Sequence, residues 1–258
     1  MEKNSSSFIK YNEQIIPKPL GTDYDLITGK IYALKEDKYS DDLYLEEDKE
    51  FEFPEKYYLG DNDKHFINKV LNTFKNTTKL TTGTLLSGMK GSGKTLMAKY
   101  IAKESGLPII VVDQKVNASN IEGFFAKVND DVCVILDEID KYWNTRYLLG
   151  FLDGVKPSCK KLVLCTCNDE KEINEYLNDR CSRIRYKKKF KCLTKDAVLG
   201  VLTDMISNKE KAKSATEFIC SAISVISYDN VVIFGEEVKN NPDESYESII
   251  TDLNIEKQ

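Results

Sequence analysis

The stretch Gly88-Met-Lys-Gly-Ser-Gly-Lys-Thr95 decides the fold of this 258-residue chain. It matches the pattern G-x-x-x-x-G-K-[ST], in which a glycine-rich loop cradles the phosphates of a nucleoside triphosphate. Apolar residues before the loop predict a short buried strand, and periodic apolar residues after it predict a helix that ends at Gly106. Glycine suits a backbone that approaches phosphates closely or adopts positive φ angles. The sequence therefore predicts a strand, a phosphate-binding loop and a helix in that order.

Each part of this loop has a predicted contact with a bound nucleotide. Backbone N–H groups of the loop and the N-terminus of the helix are expected to hold the phosphates. The Lys94 ammonium is expected to reach the β- and γ-phosphates, and the Thr95 hydroxyl is expected to bind Mg²⁺. The residues predicted to contact the nucleotide are Gly88, Met89, Lys90, Gly91, Ser92, Gly93, Lys94, Thr95 and Leu96.

A second motif is the apolar run Val132–Leu136, which ends in Asp137 and Glu138. Many buried strands end in acids at a turn, so this run alone is a weak signal. Its position is informative, because it follows the phosphate-binding loop with one strand-helix unit between them. At such a strand end Asp137 is predicted to hold Mg²⁺, and Glu138 is predicted to be the general base that polarises the attacking water.

A third set of polar residues follows the next apolar run. Asn168 comes directly after that run, where its amide can position the water and sense the γ-phosphate. An isolated asparagine at such a place is more typical of a helix cap or a turn. Further along, Arg180 and Arg183 are spaced so that they share one side of a helix end or turn. Each arginine offers a planar group that fits a triphosphate.

Apolar strands alternate with helical patterns through the middle of the chain. Five such strands predict an α/β fold in which helices cover both faces of a parallel sheet, and residues 57–190 are expected to form it. Residues 1–56 are expected to be an acidic N-terminal appendage with short strands, since Glu36 to Asp63 holds twelve Asp or Glu and three Lys. The pattern of 191–258 is helical only and predicts a small C-terminal helical domain.

Composition argues against several classes of protein. The net charge of −5 gives no overall attraction to nucleic acid, and no apolar run approaches the ~20 residues of a membrane span. The N-terminus lacks the apolar core of a signal peptide. Seven cysteines, an odd number, suit reduced thiols in the cytoplasm. A zinc site is not predicted, because His65 is the one histidine of the sequence.

Together these motifs make the chain resemble the AAA+ ATPases, and within them the AAA proper group, closely over 57–190 and loosely over 191–258. The resemblance implies a P-loop NTPase fold followed by a helical lid, with ATP and Mg²⁺ as cofactors. It implies that Asn168 is the first sensor of the γ-phosphate. It also implies that Arg180 and Arg183 act on ATP bound to the neighbouring subunit of a homo-oligomeric ring or helix, usually a hexamer. Cys-Ser stands between these arginines where the family commonly has Pro-Gly.

Further predictions rest on the same resemblance. Leu59 and Gly60 lie where family members contact adenine. A second sensor residue is not evident, since Lys195 and Lys211 are both available and the pattern does not choose between them. Residues 109–125 resemble more closely the mitochondrial translocase of folded Rieske protein and the small ATPases of large bacteriophages. These resemblances imply a cytoplasmic protein, in the host cytoplasm if a phage encodes it.

The favoured function is Mg²⁺-dependent ATP hydrolysis that drives remodelling or disassembly of a protein complex. The loop 113–120 has no aromatic residue to contact an unfolded chain, so a folded protein substrate of unknown identity is favoured over threading. One alternative is a replication-type AAA+ protein, such as a clamp or helicase loader. The basic run 180–195 permits nucleic-acid binding but does not favour it, since its arginines have another predicted role. Another alternative is a nucleotide-gated scaffold with little hydrolysis.

Overall fold

The computed structural model describes residues 8–11, 14–17, 24–40, 42–53, 61–153, 159–173, 183–224 and 226–255. The strands within these residues are β1 (Phe8–Tyr11), β2 (Gln14–Pro17), β3 (Ile31–Glu36), β4 (Leu43–Glu47), β5 (Thr81–Gly88), β6 (Ile109–Val112), β7 (Val132–Leu136), β8 (Lys161–Cys167) and β9 (Tyr186–Phe190). β1 and β2 pair as a two-stranded antiparallel sheet. The others form a seven-stranded sheet in the order β4-β3-β6-β7-β8-β5-β9.

This large sheet confirms the predicted α/β fold class. Its strands pair in parallel from β3 to β9, and only the β3–β4 pair at one edge is antiparallel. The five strands expected from the sequence are β5 to β9, and the phosphate-binding loop follows β5 near the middle of the sheet. The carboxyl ends of β5, β7 and β8 lie at the same edge, which brings together the loop, Asp137 and Asn168.

The sheet has seven strands instead of the expected five, because the acidic segment contributes β3 and β4 to it. β3 pairs in parallel with β6, and Ile31, Tyr32 and Leu34 are buried in the core. The sequence predicts short strands in this segment but not their place in the sheet, because pairing of β3 with β6 joins residues far apart in the chain. The part of the chain that we expected to be an appendage therefore completes one side of the sheet.

Helices cover both faces of this sheet. Their bounds are α1 (Asp61–Asn76), α2 (Lys94–Ser105), α3 (Ala118–Phe125), α4 (Ile139–Tyr142), α5 (Leu148–Asp153), α6 (Lys195–Met205), α7 (Lys209–Ala222), α8 (Tyr228–Asn240) and α9 (Tyr246–Asp252). α1 and α2 pack on one face, and α3, α4 and α5 pack on the other. A 3-10 turn over Thr145–Tyr147 leads into α5, and another covers Glu170–Glu172 after β8.

The C-terminal helices α6 to α9 form an apolar cluster of their own. Thr194 caps α6, because its side chain accepts a hydrogen bond from the Ala197 N–H. At the start of α8, the Asp229 N–H donates to the Gly91 carbonyl at 3.2 Å, so this helix lies against the phosphate-binding loop. None of the helices in the described ranges combines the length and the apolar character that a membrane crossing needs.

Candidate nucleotide-binding and catalytic site

The phosphate-binding loop depends on glycine backbone conformations. Gly88, Gly91 and Gly93 have φ angles of 138°, 69° and 89°, in a region that other residues rarely adopt. At Gly88 a Cβ atom would lie 2.4 Å from the Phe190 carbonyl oxygen, so a side chain there would also clash with β9. The loop thus turns tightly from β5 into α2, with its backbone close to where phosphates are expected to bind.

Lys94 is the first residue of α2, and only 6% of its surface is exposed. Its ammonium group donates to the carbonyls of Gly88 at 2.8 Å and Met89 at 2.7 Å, and to Asn168 Oδ1 at 3.1 Å. Burial lowers the pKa of Lys94, and nearby acidic groups oppose that shift. These bonds place a cation between the loop and the end of β8.

The predicted magnesium ligands are in direct contact. Thr95 Oγ1 donates to Asp137 Oδ1 at 2.9 Å, and Thr166 Oγ1 donates to the same oxygen at 2.5 Å. This donor set fits Mg²⁺, which binds oxygen atoms and usually takes one or two protein ligands together with water and phosphate. A cluster of three or more His, Cys, Asp or Glu that could hold a metal by itself does not occur among the described residues.

Glu138 is held in an unusual conformation beside these ligands. Its φ angle of 52° is left-handed, which is uncommon for a residue other than glycine and typical of functional sites. Its backbone N–H donates to Thr166 Oγ1 at 2.9 Å, and Asn168 Nδ2 donates to its Oε1 at 3.1 Å. The bond from Asn168 is the main cause that lowers the pKa of Glu138, and Lys141 adds to it. Glu138 is therefore ionised at neutral pH, as a general base must be.

A cavity of about 370 Å³ lies over the loop. It brings together most of the residues predicted for nucleotide contact with Glu138 and Asn168. Its lining residues are Lys90, Gly91, Ser92, Gly93, Lys94, Thr95, Leu96, Lys99, Glu138, Thr166, Asn168, Tyr228 and Asp229. Sequence reasoning missed Lys99, Thr166, Tyr228 and Asp229. The signal for Thr166 was available, because residues two apart in a strand share a face and Thr166 precedes Asn168 by two.

Three predicted residues lie outside the described part of the chain: Leu59, Gly60 and Arg180. Arg183 is described and does not line the cavity. Its guanidinium is buried and forms two bonds with Asp153, from Nε at 2.7 Å and from Nη2 at 2.6 Å. The pKa of Arg183 is raised by this carboxylate. This contact ties Arg183 to the end of α5 in its own subunit. Its action on a neighbour's nucleotide stays a prediction.

Comparison with known proteins agrees with this geometry. The family model described as "ATPase family associated with various cellular activities (AAA)" matches residues 84–189. The ATP-dependent zinc metalloprotease FtsH of Veillonella parvula is 34% identical over 94 residues, which cover 30% of this chain and 15% of that protein. FtsH of Leptotrichia buccalis is 28% identical over 151 residues, 45% of this chain and 20% of that protein. The chain therefore spans a small part of these relatives.

Among solved structures, two Thermotoga maritima RuvB mutants superpose with TM-scores of 0.60 and 0.59, covering 77% of this chain and 71–72% of those chains. The sequence identity is 16–17%, so this likeness shows the fold alone. The loop geometry and the paired acids at the end of β7 lie within residues 84–189, the part of the chain that is similar to this ATPase family.

Proposed function

We propose that this chain hydrolyses ATP with Mg²⁺ and, as a homo-oligomer, uses the reaction to remodel or disassemble a protein complex. The observation that carries the proposal is the Asn168 carboxamide, which bonds to both Lys94 and Glu138 at 3.1 Å. This amide joins the group that is expected to neutralise the γ-phosphate to the group that is expected to activate water. A link between these two groups is useful for hydrolysis, so it favours hydrolysis over nucleotide binding alone.

Each residue of the candidate site has a separate role in the proposed reaction. Lys94 and the loop amides bind and orient the phosphates, and Thr95 and Asp137 would hold Mg²⁺. A bound Mg²⁺ ion neutralises charge on the phosphate oxygens. Glu138 accepts a proton from the attacking water, and its ionised form is already favoured by the Asn168 bond. We propose that Arg180 of a neighbouring subunit stabilises the charge that develops on the phosphate, as the AAA+ resemblance implies.

The kind of work is proposed from the histidine content of the sequence and from its resemblances. The FtsH relatives are named as zinc metalloproteases, but this sequence has one histidine, so a zinc peptidase site with two histidines cannot be built from it. We therefore propose remodelling of a protein substrate without peptide hydrolysis by this chain. The resemblance of residues 109–125 to the Rieske-protein translocase favours a folded substrate. Their resemblance to the small ATPases of large bacteriophages motivates the proposal of a phage source.

The proposal is tested with Glu138→Gln. We expect the variant to bind ATP as the wild type does and to lose at least about 100-fold in kcat, because a carboxamide cannot accept the proton. Phosphate release measures turnover, and isothermal titration calorimetry measures binding. The control is Glu172→Gln, an exposed acid in the 3-10 turn after Asn168. Equal turnover by Glu138→Gln and wild type would show that the base is wrong. ATP binding without turnover by the wild type would favour the scaffold alternative.

A further inference from the structure

Asp140 connects the two strand ends that carry the catalytic residues. It lies in the first turn of α4, two residues after Glu138. Its Oδ2 atom accepts the backbone N–H of Asn168 at 2.9 Å and the backbone N–H of Asp169 at 3.0 Å. The segment after β7 is thereby bonded to the segment after β8, at the point where Asn168 leaves the sheet.

Only one oxygen of the Asp140 carboxylate has hydrogen-bond partners among the described residues. Its other oxygen, Oδ1, is buried and has no hydrogen-bond partner within the described ranges. Leaving a buried polar atom without a hydrogen bond destabilises the folded state. A side chain with a single acceptor oxygen could accept both backbone N–H groups without leaving a second oxygen unpaired. The bonds that Asp140 does make are charge-assisted, which makes them stronger than bonds between neutral groups.

Asn168 needs a well-defined backbone position. Its side chain spans two fixed partners, because Oδ1 accepts from Lys94 and Nδ2 donates to Glu138, each at 3.1 Å. Both distances are near the long end of the range for N–H···O bonds, so a small displacement of the backbone would break one of them. The bonds from Asp140 restrain this backbone directly. They therefore fix the carboxamide between the ammonium and the general base.

We propose that Asp140 is a positioning residue for ATP hydrolysis, whose carboxylate holds the backbone at 168–169 so that Asn168 orients Glu138 toward the attacking water. This inference rests on the proposed ATPase function. Asp140 is not among the residues that line the cavity, so it acts through Asn168 and not by contact with the nucleotide. The expected signature is a loss in kcat with little change in ATP affinity.

The test compares Asp140→Ala, Asp140→Asn and Asn168→Ala in the full chain. Asp140→Ala should lower kcat by about 10- to 100-fold, the range expected for misplacement of a catalytic group, and leave the Kd for ATP within about threefold. Asp140→Asn should recover most of the activity, since its carboxamide oxygen can accept both N–H groups. Combining Asp140→Ala with Asn168→Ala should cost little beyond Asn168→Ala alone, because both changes disable the same amide.

A matched control is Asp131→Ala. Asp131 also bonds across β7 and β8, accepting the Lys160 N–H at 2.7 Å, but at the opposite end of these strands. It should leave kcat unchanged while losing a bond of the same kind. If Asp140→Ala lowers kcat no more than this control, or if its effect multiplies with that of Asn168→Ala, the positioning role is wrong.

Amide hydrogen exchange separates this inference from the proposed function. In Asp140→Ala, exchange at Asn168 and Asp169 should become faster, and this readout does not require turnover. A wild-type protein without ATPase activity would overturn the proposed function, and with it the catalytic part of the inference. Unchanged exchange at these two amides would overturn the restraint itself, whatever the activity of the wild type.

Discussion

Thr166 shows how one buried hydroxyl can organise a site. It lies in β8 among apolar residues, and a polar side chain in such a core requires hydrogen-bond partners. Thr166 donates to Asp137 and accepts from the Glu138 N–H, so it holds the predicted magnesium ligand and the predicted base at once. These bonds also support the left-handed backbone of Glu138. The residue is therefore expected to tune Mg²⁺ binding without being a ligand itself.

Replacing Thr166 with valine should raise the Mg²⁺ concentration needed for half-maximal ATPase activity about tenfold, the lower end of the effect of losing a partner that orients a metal ligand. Valine keeps the shape of threonine and removes only the hydroxyl, so the fold is expected to survive. Thr166→Ser keeps the hydroxyl and serves as the control. Titration of activity with Mg²⁺ measures the effect, and identical titrations for the valine and serine variants would contradict it.

At the scale of elements, β3 shows how the acidic segment supports the sheet that carries the candidate site. β3 pairs with β6, and β4 covers the outer side of β3 as the edge strand. The buried face of β3 packs with residues of α3 and β7 in the same apolar cluster. Charged residues of β4 lie at the exposed edge, where they discourage pairing with other chains. The segment thus contributes stability to the nucleotide-binding unit.

Leu34→Ala in β3 should lower the free energy of unfolding by about 2–5 kcal/mol, the range for emptying a fully buried leucine site. Leu34 has 0% exposure, whereas Tyr39, in the turn between β3 and β4, is 97% exposed. Tyr39→Ala is therefore the control and should change stability by less than about 0.5 kcal/mol. Chemical denaturation measures both. Equal, small losses would mean that the segment is an independent appendage after all.

At the scale of the whole molecule, the helical C-terminal residues and the phosphate-binding loop are in contact. A Cβ atom at Gly91 would lie 2.8 Å from an Asp229 carboxylate oxygen, so α8 lies directly against the loop. Burial raises the pKa of Asp229, and Lys94 opposes this shift. The nucleotide cavity is thus formed by two parts of the chain that are far apart in sequence. We propose that a neighbouring subunit contributes a third part of the site.

Mixing experiments should test the arginines. Arg180→Ala is expected to bind ATP and lose turnover. Mixing it with Lys94→Ala should restore activity, because mixed oligomers contain sites in which an intact Lys94 faces an intact Arg180. Specific activity should also rise with protein concentration. Concentration-independent turnover without rescue would exclude catalysis across subunits.

Arg183→Ala should lower the melting temperature, since it leaves Asp153 without its bidentate partner.

The sequence by itself determined the phosphate-binding loop, the acidic strand end, Asn168 and the parallel α/β fold. These are local signals, because glycine conformations and continuous apolar strands follow from residue type and spacing. Only the tertiary structure decided that β3 joins the sheet, that Arg183 pairs with Asp153 and that Asp140 restrains the backbone of Asn168. Each of these contacts joins segments about 30 or more residues apart. The residues that meet in these contacts depend on how the whole chain packs, and a local sequence pattern does not predict them.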